Sequence, residues 1–188
     1  RIYVTGRDTP SLLSDTGKYD DGSRSIQTGF RTDWEPNGKD AFTLQADYQK
    51  LDFETTLASS NFGGGMSPAL SFVTNFSLGT TNETVSQNAE GFNVLGRWTR
   101  SWSNSHRLTF QTYLDHIERS EFDADFASRT VDFDLSHYFS WAKRFETVWG
   151  MGYRSVHESS TKGGLVNFQA PSFDTDIFTA FIQQDVSF

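Results

Sequence analysis

"RWTRSWSNSHRLTFQTY", residues 97–113, places two tryptophans four residues apart, followed by a polar break and a second run of alternating apolar and polar residues. In an extended strand Trp98 and Trp102 point to one side and Arg97 and Thr99 to the other, because successive side chains of a strand alternate between faces. In water such a strand needs a second layer over its apolar face, whereas in a bilayer the lipid covers it. The rest of the sequence has to decide between these two surroundings.

The same period-two alternation recurs along the chain and helical periodicity is hard to find. It is clear in "AFTLQADYQ" (41–49), "GFNVLGRWTRSW" (91–102), "TVDFDLSHYFSW" (130–141) and "FETVWGMGYRS" (145–155). The mean hydropathy of −0.53 and the lack of a long apolar run argue against a membrane protein built of helices. They do not argue against a barrel, because a spanning strand exposes only alternate residues to lipid.

The links between these strands are predicted to alternate in length. Eight strands are expected near 1–7, 25–35, 41–57, 91–103, 107–121, 129–141, 145–158 and 175–188. Short links at 36–40, 104–106 and 142–144 alternate with long ones at 8–24, 58–90, 122–128 and 159–174. This plan is typical of an antiparallel up-and-down transmembrane β-barrel, here an arc of about eight strands from a larger barrel.

Aromatic residues collect near the short links. The predicted membrane-interface set is Trp34, Trp98, Trp102, Trp141, Phe145 and Trp149. If the strands run up and down, these rings lie at one level, where an aromatic girdle belongs. The alternative is that they form the core of a soluble β-sandwich.

Composition excludes several function classes. The net charge of −8 and the pI near 4.9 argue against nucleic-acid binding, since the basic footprint of such proteins is missing. The absence of cysteine excludes a disulfide framework and cysteine-based metal sites. The chain begins at Arg1 without a methionine or a visible signal peptide, so a fragment or a trimmed chain is expected.

Four segments, in their order along the chain, resemble the barrel of TonB-dependent outer-membrane receptors. They are "TGFRTDWEPNGKDAFTLQADYQ" (28–49), "NVLGRWTRSWSNSHRLTFQTYLD" (93–115), "HYFSWAKRFETVWGMGYRSVHE" (137–158) and "FTAFIQQDVSF" (178–188). The last departs from the family's "FxQDE" pattern, because Gln184 is inserted before Asp185 and Val186 replaces an acidic residue. The plug domain and TonB box of the family are not recognisable either.

The resemblance implies that residues 1–188 are one partial receptor barrel domain in the outer membrane of a Gram-negative cell. Family barrels have about 22 strands, so eight form roughly a third of the wall. The implied function is active uptake of a scarce solute such as a ferric siderophore, driven by the TonB–ExbB–ExbD complex acting through a plug outside this chain. The implied partners are outer-membrane lipid and an unidentified transported ligand, with no nucleic acid, no cofactor and no enzymatic step.

Two sets of residues are the candidates for function in such a receptor. The lumen-facing polar set is Gln45, Asp47, Gln49, Arg97, Asp132, Asp134, Glu146 and Arg154. These side chains would meet the plug or the passing solute, or would merely brace the wall through cross-strand pairs. The long glycine- and serine-rich link supplies the ligand-binding candidates Phe62, Met66, Phe72 and Phe76.

Other polar groups give weaker signals. The histidines His106, His116, His137 and His157 lie in different strands or turns, and the sequence predicts neither a metal nor a catalytic site for them.

Two alternatives to the receptor remain open. One is a complete eight-stranded structural or adhesive outer-membrane barrel, which would require the first and last strands to pair. The other is a soluble β-sandwich binding module.

Overall fold

The computed structural model describes residues 1–11, 13–14, 17–18, 21–61, 79–121, 124–142, 144–161 and 171–187. These residues form ten strands: β1 (Ile2–Thr9), β2 (Leu13–Ser14), β3 (Gly17–Lys18), β4 (Ser23–Asn37), β5 (Asp40–Asn61), β6 (Gly79–Ser103), β7 (His106–Glu121), β8 (Ala124–Ala142), β9 (Phe145–Ser160) and β10 (Ser172–Val186). In the described part of the chain, no helix has the length and apolar character needed to cross a membrane.

Eight of the strands make one antiparallel sheet in the order β1-β4-β5-β6-β7-β8-β9-β10, and β2 and β3 form a separate two-residue ladder. Each strand of the large sheet pairs with the next such strand along the chain, so the topology is up-and-down. The predicted all-β, antiparallel architecture of eight main strands is thereby confirmed. The sheet is open, with β1 and β10 as its edges, as in an arc of a barrel.

The links differ from the predicted ones at one end of the sheet. At the short-turn end, turns at 38–39, at 104–105 and at 144 join the strands, each next to a β-bulge. At the other end, called here the long-link end, β5 continues to Asn61 and β6 starts at Gly79. The predicted long link at 122–128 is wrong, because β7 ends at Glu121 and β8 starts at Ala124. Strict alternation of short and long links therefore fails there.

Cross-strand register assigns every side chain to one of two faces. Phe42 pairs with Trp98 and Trp98 with Phe110, and these side chains share the apolar face. Thr43, Arg97 and their partners share the polar face. The sheet is a single layer, and no apolar side chain in the described residues is buried. Large side chains of the apolar face are open to the surroundings, including Trp34 at 62% and Ile182 at 77% exposure.

The apolar side chains of that face form a diagonal band. On β4 to β10, the last large apolar or aromatic residues toward the long-link end are Ile26, Tyr48, Phe92, Leu114, Val131, Tyr153 and Phe178. Through the register, this boundary moves by six residues over six strand steps, always in the same direction. One residue per strand corresponds to a slope of about 35°, given roughly 3.3 Å per residue and 4.8 Å between strands.

Candidate functional site: the polar face of the sheet

The eight polar residues predicted to be lumen-facing lie on one face, opposite the apolar band. Within this set, register pairs Asp132 directly with Arg154. Gln45, Asp47 and Asp134 lie across from Leu95, Asn93 and Gly152 of the same face. Gln49, Arg97 and Glu146 have the same parity on their strands. Alternation in the sequence was sufficient to group them, because each strand keeps its period of two through this region.

The most enclosed charge on this face is Asp132, which is 7% exposed. Arg154 Nε donates a hydrogen bond to Asp132 Oδ2 at 2.7 Å, from the neighbouring strand β9. Next to this pair, a Cβ at Gly152 would meet Asp134 Oδ1 at 2.8 Å and Thr179 Oγ1 at 2.7 Å. A glycine therefore leaves room for the Asp134 carboxylate to lie flat across β9. The residues brace β8 against β9 and present carboxylates on the polar face.

A second cluster lies near the β1 edge of the sheet. The Tyr3 hydroxyl donates to Asp47 Oδ1, Gln45 Nε2 donates to Asp47 Oδ2 at 3.0 Å, and Gln27 Nε2 donates to the Tyr3 hydroxyl at 3.3 Å. These side chains lie over Gly29, where a Cβ would collide with Asp47 and the Tyr3 ring. The cluster links β1, β4 and β5 and fixes the orientation of the Asp47 carboxylate.

On the middle strands of the polar face, Arg97 and Arg107 have no carboxylate within ion-pair distance among the described residues. Arg97 donates from Nε and Nη2 to Gln111 Oε1 at 2.8 and 2.6 Å. The Arg107 guanidinium lies over the Tyr138 ring, 5.6 Å from its centroid. Both line an open hollow of about 380 Å³ together with Asp134. The hollow can offer N–H donors to an anionic or polar group.

The polar face becomes apolar toward the long-link end, a feature that was missed in the sequence. An open hollow of about 450 Å³ there is lined by Ile117, Phe126, Pro171 and Phe173, among others, with Arg119 and Glu158 beside them. The alternation of side chains along each strand could have revealed this apolar region, because Ile117 and Phe173 occupy positions that point to the same face as the predicted polar set. This surface can hold an apolar group between charged neighbours.

The predicted ligand-binding residues Phe62, Met66, Phe72 and Phe76 lie outside the described residues.

The aromatic residues predicted for the membrane interface are on the apolar face, toward the short-turn end. Trp34, Phe42 and Trp98 form a stacked row with centroid distances of 5.4 and 6.5 Å. Trp141 stacks on Phe145 at 4.9 Å. The six predicted interface residues therefore lie along the short-turn edge of the apolar band. This edge shifts along the register from strand to strand, as the opposite edge does.

The histidines are arranged differently from the expectation. His106 is the first residue of β7 rather than part of a turn, and its ring stacks 6.2 Å from that of His137 on the apolar face. Trp149 Nε1 donates to His137 Nδ1 at 3.2 Å, which satisfies one polar atom of this otherwise aromatic cluster. His116 and His157 lie at the long-link end of the same face. The described residues contain no group of three side chains able to hold a metal ion.

Taken together, the polar face offers fixed carboxylates, guanidinium groups without carboxylate partners and an apolar hollow. Such a wall can hydrogen-bond to water, to a solute or to a protein segment next to it. Comparison with models of protein families, with curated proteins and with solved structures finds no match to this chain.

Proposed function

We propose that this chain is part of the barrel wall of a TonB-dependent outer-membrane receptor, which imports a scarce solute such as a ferric siderophore. The apolar face contacts lipid, the polar face lines the lumen, and the short turns lie on the periplasmic side. A plug domain outside this chain connects the barrel to the TonB–ExbB–ExbD complex. The barrel itself performs no covalent chemistry.

One observation carries this proposal: the apolar band slopes by one residue per strand. If lipid is the solvent of that face, the boundary of the band must be level with the membrane, so the strands must tilt by about 35°. Transmembrane barrels have strand tilts of about 35–45°. On individual strands the band covers 7 to 11 residues, close to the roughly 9–11 that cross the hydrocarbon.

The polar face favours a wide lumen over a complete eight-stranded barrel. The interior of an eight-stranded barrel is just wide enough to be filled by its own side chains, and buried charges there need partners. Arg97 and Arg107 have no carboxylate partner in the described residues. In a wide barrel these guanidinium groups meet water, plug or solute instead. The β1 and β10 edges are also unpaired with one another.

The soluble β-sandwich is the weaker candidate. A sandwich buries its aromatic side chains between two sheets, whereas the rings of the apolar face lie on a single layer and are largely exposed, Trp141 at 61% and Phe178 at 78%. In water, this face would expose an apolar surface far larger than the one that soluble monomers expose.

Lipid contact is tested by placing single labels along β8. The chain has no cysteine, so Phe133→Cys and Leu135→Cys report the apolar face, and Asp134→Cys and Ser136→Cys report the polar face. With an environment-sensitive fluorophore in vesicles, we expect quenching by brominated lipid tails at 133 and 135 only. Equal quenching at all four positions, or none, would contradict the proposal.

The transport step needs a separate test in cells that produce the natural receptor. Uptake of labelled ferric siderophores should require both this receptor and TonB, and should stop when the proton gradient is dissipated. Uptake that persists without TonB would contradict the receptor assignment while leaving the membrane placement intact.

A further inference from the structure

Basic side chains follow the boundary of the apolar band at the long-link end. The first apolar-face residues beyond the band are Arg24, Lys50, Glu90, His116, Arg129, Ser155 and Asp176 on β4 to β10 in turn. Four of these seven can carry a positive charge, although the chain has only 16 lysines and arginines against 24 acidic residues. The row shifts by one residue per strand as the band does, so in a tilted sheet it lies at one height.

Arg129 is the most available cation of the row. It is exposed and has no ion-pair or hydrogen-bond partner in the described part of the chain. Its direct cross-strand neighbours are His116 on β7 and His157 on β9. Both histidines contact carboxylates of this face, since His116 Nε2 is 2.9 Å from Glu118 Oε1 and His157 Nδ1 is 2.6 Å from Asp174 Oδ1. Three nitrogen-bearing side chains therefore lie side by side, with neighbouring strands about 4.8 Å apart.

The other two permanent cations have only weak partners. Arg24 Nη2 is 3.4 Å from Asp8 Oδ2, with both side chains at least 70% exposed. Lys50 Nζ is 3.8 Å from Asp52 Oδ1. Exposed pairs of this kind contribute little to stability, and their long side chains can turn toward a better anion at the membrane boundary.

We propose that Arg129, together with Arg24 and Lys50, binds the phosphate groups of anionic lipids in the leaflet on the long-link side. This inference rests on the membrane placement proposed above and adds a partner to it. Because the row lies directly beyond the apolar band, it is level with the lipid headgroups. Phosphate is the anionic group that lipids present there. Arginine suits it because its planar fork can donate two hydrogen bonds to neighbouring phosphate oxygens.

The test measures retained lipid on the detergent-solubilised natural receptor that contains this chain by native mass spectrometry, with phosphatidic acid and phosphatidylcholine at equal concentration. We expect the chain to retain phosphatidic acid preferentially and Arg129→Gln to weaken that preference about fivefold. Arg129→Lys should keep most of it. The matched control is Arg7→Gln, which removes the same charge at the same end but from the polar face, and should not change the preference.

Different outcomes separate the hypotheses. Two results would overturn the headgroup site alone. One is insertion into phosphatidylcholine vesicles without any preference for phosphatidic acid, and the other is an equal loss of that preference in Arg129→Gln and Arg7→Gln. Displacement of phosphatidic acid by excess inorganic phosphate would also overturn it, since the site would then take free phosphate. Failure of the natural receptor that contains this chain to insert would overturn the membrane placement, and the headgroup site with it.

Discussion

At the scale of single residues, glycines of the polar face make room for side chains from neighbouring strands. The Phe181 ring of β10 lies across Gly150 of β9, so a Cβ at Gly150 would be 2.5 Å from Phe181 Cε1 and 2.8 Å from the Leu135 carbonyl oxygen. The ring can move, but the carbonyl belongs to the backbone of β8. We therefore expect Gly150→Ala to lower the free energy of unfolding by about 1–3 kcal/mol, as overpacking typically does. The urea midpoint of the membrane-inserted natural receptor that contains this chain measures this.

Gly96→Ala is the matched control for that substitution. A Cβ at Gly96 would meet only Thr112 Cγ2, at an ordinary 3.5 Å, so its effect should stay below about 1 kcal/mol. Combining Gly150→Ala with Phe181→Ala should restore part of the lost stability, because one of the two close contacts disappears. Similar effects of the alanines at 150 and 96 would contradict the packing argument.

At the scale of elements, the β4–β5 hairpin is held by a carboxylate beyond the apolar band. Asp40 accepts hydrogen bonds from Asn37 Nδ2 and Trp98 Nε1, both at 3.0 Å. The Asn37 amide first, and then the Trp98 indole, lower the pKa of Asp40 below its ordinary value of 3.8. The folded chain thus binds this proton less readily than the unfolded chain. The resulting stabilisation is complete above the unfolded pKa and disappears as the pH falls through the folded one.

Asp40→Asn should accordingly destabilise the chain at about pH 6 and make progressively less difference toward about pH 3. Unfolding midpoints of both proteins across this pH range measure the effect. Glu35→Gln is the control, since Glu35 is an exposed carboxylate of the same hairpin with no hydrogen-bond partner among the described residues. A difference between the unaltered chain and Asp40→Asn that does not vary with pH would contradict the role given to the Asp40 carboxylate.

The elements also show how far the sequence could predict the fold. Strands were predictable where one face is apolar and the other polar, as in β9, because only there does the period of two appear. Residues 79–90 and 124–128 lack a sustained alternation of apolar and polar residues, and a strand without a one-sided pattern is predicted as a link. The sequence predicted that the polar set shares one face, because alternate positions of a strand point to the same side. Pairings such as Arg154 with Asp132 did not, because register depends on the hairpins and bulges that join the strands.

At the scale of the whole molecule, the two edges of the sheet limit what the chain can do alone. Every residue of β10 is exposed, and its outer backbone groups have no neighbouring strand among the described residues. Such an edge is not tolerated in lipid, since each unpaired backbone group there costs several kcal/mol. In a membrane, β1 and β10 must therefore either pair with each other, as in a small barrel, or pair with further strands, as in a wide one.

Cross-linking distinguishes these two closures. Val4 and Phe178 lie at the boundary of the apolar band on β1 and β10, so Val4→Cys and Phe178→Cys would be neighbours at one height in a closed eight-stranded barrel. In the proposed wide barrel they are separated by the remaining strands, and a short bis-maleimide should not join them within one chain. Positive controls are the cross-strand pairs Val4→Cys with Thr28→Cys and Tyr153→Cys with Phe178→Cys. Efficient joining of 4 to 178, at the yield of the controls, would show that the sheet closes on itself and would replace the wide lumen with a packed interior.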